Sequence, residues 1–144
     1  MATETSRVIQ AFLRTISEDV RLYRKLTELL KVQKSLYLTF DATRLQQNID
    51  QQQPLLDQLE HNAALRSQTI QRLGLTADAH GVEKLFQALP KPLGAKVSQQ
   101  WQLLQSLVAE CQQLNHDNGV SSATFHELVS QLKQPASHTY AEQL

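Results

Sequence analysis

Apolar residues recur at steps of three and four over most of this chain, the spacing that keeps side chains on one face of an α-helix. In the first third, Ile9, Leu13, Ile16, Val20, Tyr23, Leu26 and Leu30 form an almost unbroken heptad seam. The seam predicts one amphipathic helix over about 6–40, capped at its start by Thr5 or Ser6. Asp41 is a good cap for a second helix over about 41–73. Its seam runs through Leu45, Ile49, Gln52, Leu56, Leu59, Ala63, Arg66, Ile70 and Leu73 before Gly74, a natural helix stop. Pro54 lies inside that seam, and its missing N–H and bulky ring predict a kink or a break there.

From Thr76 to Gly94 the pattern weakens to one short helical piece, Val82 to Leu89, closed by Pro90, Pro92 and Gly94. This stretch reads as the connection between two halves. A third long helix follows over about 95–118, with Val97, Trp101, Leu104, Val108, Cys111 and Asn115 in its seam and Leu103, Leu107 and Leu114 widening the stripe. Asn118-Gly119 offers an end, with Thr124 and Glu127 as the capping box of a short helix over 120–133. Alternatively the helix runs through Gly119 at a cost of about 1 kcal/mol. Phe125, Leu128, Val129 and Leu132 keep helical spacing on either reading, whereas residues 134–144 have no apolar period and read as a flexible tail. The fold class is therefore all-α: an elongated antiparallel helical hairpin or bundle with coiled-coil character, one domain over 1–133 followed by the tail.

Composition supports this reading. The 144 residues include 24 Leu and 20 Gln, both good helix formers, but only 4 Gly and 4 Pro, too few turn residues for many short strands. Lys and Arg total 14 and so do Asp and Glu. That balance argues against a partner held mainly by long-range electrostatics, such as bulk nucleic acid or an anionic membrane. No apolar run approaches the roughly 18 residues a membrane crossing needs, the first residues lack the pattern of a secretory signal, and a single Cys fits a reducing compartment. The expected location is the cytosol.

The residue types of familiar catalytic and metal sites are absent at the required spacings. No Glu is followed at the third position by His, as di-iron bundles need, and Cys111, His116 and His126 do not fall four apart on a helix face. His61, His80 and His138 are scattered, and the four glycines are too far apart for a phosphate loop. Cys111, on an apolar seam, reads as a buried inert thiol. No cofactor, metal or enzymatic activity is expected. Arg21, Arg24, Lys25, Lys31 and Lys34 make the first helix locally basic, but Glu18, Asp19 and Glu28 interleave, so a solvated mixed-charge face explains them better than a nucleic-acid surface. Trp101 and its leucines read either as hairpin core or as a groove for a partner helix.

One stretch is more specific. Trp101-Gln102-Leu103-Leu104, through Leu107, to Leu114-Asn115-His116-Asp117-Asn118-Gly119 resembles the hallmark of the FlgN family of flagellar export chaperones, with Leu-Asn-x-x-Asn-Gly placed after a tryptophan-type position. Leu55 to Glu60, Arg66 and Leu73-Gly74 are similar to the family's heptad helix, and Thr139-Tyr140 to its Thr-Tyr close. The resemblance implies a small cytosolic chaperone that keeps hook-filament junction proteins unassembled and delivers them to the type III export gate. It implies that Trp101, Leu114, Asn115, Asn118 and Gly119 are family-motif residues and that Tyr140 docks into the cytosolic domain of the gate protein. Phe125, Leu128, Val129 and Leu132 are then the client-facing residues, against the alternative that they only close the bundle. A different class of function, a structural coiled-coil subunit that forms a homodimer and never releases a client, fits the same heptads.

Overall fold

The computed structural model describes residues 3–133, with the side chains of Phe125 and of 128–133 left out of the description. Four helices follow one another: α1 Glu4–Thr39, α2 Ala42–Arg72, α3 Ala79–Ala88 and α4 Lys91–Lys133. Each start has a local cause. The Thr3 hydroxyl accepts the Ser6 N–H, the Asp41 carboxylate accepts the Arg44 N–H, and the Asp78 carboxylate accepts the Gly81 N–H. The end of α2 is a Schellman turn: Gly74 takes φ +75°, its N–H reaches the Gln71 carbonyl, and the Leu75 N–H reaches back to Ile70. Gly81 is required by close approach, since a Cβ there would collide with the Thr76 carbonyl.

The first cap is Thr3, two or three residues ahead of the expected Thr5 or Ser6. Of the larger expectations, the break at Pro54, the extent of the Pro90 to Gly94 breaker and, of the two readings at Gly119, the stop do not hold. Helix α2 continues through Pro54, which is exposed, so solvent can serve the Asp50 carbonyl that proline leaves without a donor. The Pro90 to Gly94 breaker shrinks to a link at Leu89-Pro90, because Pro92 falls in the first turn of α4, where its missing N–H has no helical acceptor. Helix α4 does not stop at 118: it passes through Gly119 to Lys133 as one helix, so 95–118 and 120–133 are not separate elements.

Helix α1 is the spine. It packs along one side against α2, antiparallel, and along another against α4, parallel, while α2 and α4 make no close backbone approach to each other among the described residues. Two apolar clusters follow from this. One joins Phe12, Ile16, Ile70, Val82, Leu85, Phe86, Val97 and Leu104 at the end closed by α3. The other joins Leu22, Leu26, Leu30, Leu59 and Cys111 farther along. Apart from buried Gln33 and Gln52, most of the described glutamines lie on helix surfaces, where Gln46–Asp50, Gln53–Asp57 and Gln113–Asp117 bond four residues apart.

Polar side chains are buried between the clusters. Asp19, 1% exposed, accepts from Arg66 Nη1 at 2.6 Å and from Asn62 Nδ2 at 2.7 Å. Arg66 also reaches the Thr15 hydroxyl. Removing the cation would leave a carboxylate buried without its charge partner. Arg66→Ala should therefore cost about 3–5 kcal/mol in denaturant unfolding, well beyond a surface Arg→Ala control such as Arg44→Ala. Helix α3 has an acid-sensitive cap. The Gly81 N–H, then the Thr76 hydroxyl, hold the Asp78 carboxyl below its ordinary value. Its contribution is present above the unfolded carboxyl's range near pH 4 and disappears as pH falls through the lower folded value. Trp101 fluorescence should report this loss on acidification, and Asp78→Asn should remove it.

Candidate functional site

Because α2 and α4 both lean on α1 without a close backbone approach to each other, a cleft runs between them with α1 as its floor. Two neighbouring cavities of about 290 and 250 Å³ share Tyr23, Val108 and Gln112 and so form one trough. Tyr23, Leu26 and Leu30 lie on its floor, Leu56 on one wall and Val108 and Cys111 on the other, with Gln52, Gln112 and Asn115 supplying amides. Two links cross it. The Arg66 guanidinium sits 5.8 Å from the centroid of the Trp101 ring, and the Gln33 carbonyl oxygen accepts from Gln52 at 2.7 Å and Asn118 at 3.4 Å.

The chemistry of the trough is that of a binding surface. Burial, then the neighbouring Glu110 carboxylate, pushes the Cys111 thiol up to about 11, so it stays protonated near neutral pH. Burial, then Asp19 and Cys111, raises the Tyr23 phenol as well, with Arg66 opposing. Among the described residues no three His, Cys, Asp or Glu side chains gather as metal ligands. Apolar floor, amide walls and few charges suit the apolar face of a helix.

The motif residues divide between support and surface. Trp101 is half-buried rather than core, edge-on to Phe86 at 6.0 Å and under Arg66. Leu114 packs against the second cluster. Asn115, expected in the seam, is exposed on the trough wall, and the seam position is taken by Asn118, 2% exposed. Asn118 Nδ2 donates to the Leu30 carbonyl at 3.0 Å, fastening α4 to α1. Gly119 is helical and exposed, with nothing near a would-be Cβ. Sequence reasoning missed Asp19, Asn48, Asn62 and Gln33 as buried partners; Arg66 in an apolar seam was the available signal that an acid lay opposite.

A constant offset of 88 residues relates α4 to α1, seen at Cys111–Tyr23 and Asn118–Leu30. Continued along the parallel pair, it sets 127 beside Thr39, the end of α1, so the last six residues of α4 run about 9 Å past it. The backbone of Phe125, Leu128, Val129 and Leu132 belongs to this end of α4; their side chains, and Tyr140 altogether, lie outside the described residues. At the same end stands the α1–α2 turn, with Leu38 81% exposed and Phe40 in the left-handed region at φ 55°, a conformation non-glycine residues seldom take.

The family model described as FlgN protein matches residues 1–141. The chain belongs to the FlgN family. A Pseudomonas aeruginosa crystal structure described as that of a flagella synthesis protein FlgN superposes with a TM-score of 0.71 at 26% identity, covering 76% of this chain and 84% of that one. None of the curated proteins compared with the chain matches it. Among the described residues, no helix of this FlgN-family chain is long and apolar enough to cross a membrane.

Three measurements probe the site. Trp101→Ala should cost about 3 kcal/mol in denaturant unfolding, the low end for a large aromatic, because the indole is only half-buried. Gly119→Ala should raise stability by up to about 1 kcal/mol, since the site is helical and open. Cys111 should react slowly with a thiol reagent at pH 8 in the folded protein and quickly once denaturant is added.

Proposed function

We propose that this FlgN-family protein is a cytosolic flagellar export chaperone. It binds the amphipathic helical terminus of hook-filament junction proteins, prevents premature assembly and delivers them to the type III export gate. The observation that carries this reading is the overhang of α4 past the end of α1, over residues 128–133, where the apolar spacing that begins at Phe125 continues through Leu128, Val129 and Leu132. Apolar positions at helical spacing on a helix end that outruns α1 can be offered to another helix, and exposed Leu38 stands at the same end of the molecule. Family membership supports the chaperone role.

Delivery falls to a different part of the chain. A single aromatic near the C-terminus, Tyr140, suits a weak and transient docking event in which the ring fills a pocket on the gate's cytosolic domain. The two roles are separated by a paired titration. Leu128→Glu with Leu132→Glu should abolish binding of purified junction protein while leaving the far-ultraviolet circular dichroism unchanged. Tyr140→Ala should leave that binding intact and weaken the chaperone–client complex against the gate domain. Equal loss of client binding in both variants would overturn the division.

A further inference from the structure

The structure separates the basic residues of α1 into two sets. Lys31 and Lys34 turn toward α4 and pair with Glu110 at 3.6 Å and Asp117 at 3.9 Å. Arg21, Arg24 and Lys25 are exposed and form no ion pair among the described residues. They stand at i, i+3 and i+4 on one helix face, where like charges repel. The chaperone reading makes no use of them.

Beside them lies a second groove, about 580 Å³, between α1 and α2 and lined by no residue of α4. Leu29, Val32 and Leu55 provide an apolar floor, and Val32 is 49% exposed. Arg24 and Lys25 form the α1 rim and uncharged Gln51 the α2 rim. Glu28, the one acid in the lining, is drawn to Lys31 at 3.5 Å. An apolar furrow between two antiparallel helices has the shape that receives a third helix, and its unpaired charges are all of one sign.

We propose that this groove is a second protein-docking surface, separate from the end of α4, and that its occupant is an amphipathic helix of another protein whose apolar stripe is flanked by Asp or Glu. The apolar face settles on Leu29, Val32 and Leu55, and the flanking carboxylates meet Arg24, Lys25 and, one turn away, Arg21. Charge complementarity selects the partner: a basic or neutral helix leaves the arginines unpaired, and an acidic one relieves their mutual repulsion. A nucleic acid or an anionic membrane fits less well, because three cations over about 6 Å of helix are a short row for phosphates while the floor is apolar.

The test uses the full chain and a fluorescein-labelled three-heptad peptide with Leu and Ile at a and d and Glu at e and g. A control peptide carries Lys at e and g. Fluorescence anisotropy should show the acidic peptide binding at least tenfold more tightly than the basic one, with an affinity that falls as salt rises. Arg24→Glu with Lys25→Glu, both exposed, should reverse the preference without changing the thermal melt, and Val32→Asp should weaken both peptides. Leu128→Glu with Leu132→Glu should leave peptide binding unchanged, which separates this surface from the client surface. Equal binding of the two peptides, an unaltered preference in the charge-reversed variant, or loss of binding in the α4 variant would overturn the proposal. So would a single-stranded oligonucleotide or a phosphatidylglycerol vesicle that binds in place of the acidic peptide and is released by the same charge reversal.

Discussion

Everything in this fold depends on α1 being covered from two sides by helices whose backbones do not approach each other closely among the described residues. A helix with one covered side can keep its polar residues in solvent, but one with two must bury some of them. Asp19, Thr15, Thr27 and Gln33 are the result. Each is answered by a directional partner: Asp19 by Arg66 and Asn62, Gln33 by Gln52 and Asn118, Thr15 and Thr27 by carbonyls of their own helix. Leucine seams tolerate sliding by a heptad, since one apolar side chain fills another's place. Hydrogen bonds do not, and a displaced register would leave a buried carboxylate and several amides without partners. We take the polar layers to set which residues of α2 and α4 lie beside which residues of α1.

The same arrangement explains which parts of the structure could be read from sequence. Heptad steps identify a helix and its apolar side, so three long helices, the approximate ends of the first two and the Gly74 stop were legible, whereas the end of the last was not. What heptads do not contain is the number of neighbours a helix will have. Assuming a closed seam places Ile49, Leu56 and Ala63 of α2 inside, yet all three are exposed, because over most of its length α2 is packed on one side only, against α1, and Leu56 lines the open trough. Their places are taken by Asn48, Asn62 and Thr69, polar residues that no hydrophobic pattern would select. Asn115 and Asn118 are the same case in α4: two amides three residues apart, of which only the bonds to α1 decide that the second is inside.

Glycine and proline misled for a related reason. Both are read as punctuation because of their cost inside a helix, but that cost is about 1 kcal/mol for Gly and about 3 kcal/mol for Pro, which continuous packing along a long helix can outweigh. Gly119 and Pro54 are also exposed, where water can meet the backbone group each leaves less well shielded or unpaired. Position, rather than residue type, decides whether the break occurs: Pro90 does mark one, because it falls where α3 has already ended at Ala88.

The continuity of α4 has a functional consequence. A break at Gly119 would have made the last fourteen residues of the helix an independent segment whose direction was set by a loop. As one helix with a constant offset from α1, α4 carries the positions of Phe125, Leu128, Val129 and Leu132 to a defined place along and past the end of α1. Asn118 fastens α4 to α1 through the Leu30 carbonyl, and the same offset keeps the two helices side by side to about residue 127. On the reading proposed above, a client would be met by positions that the stiffness of the helix itself holds in place. The core can then stay intact while a client is bound and released, since nothing within the two apolar clusters has to open.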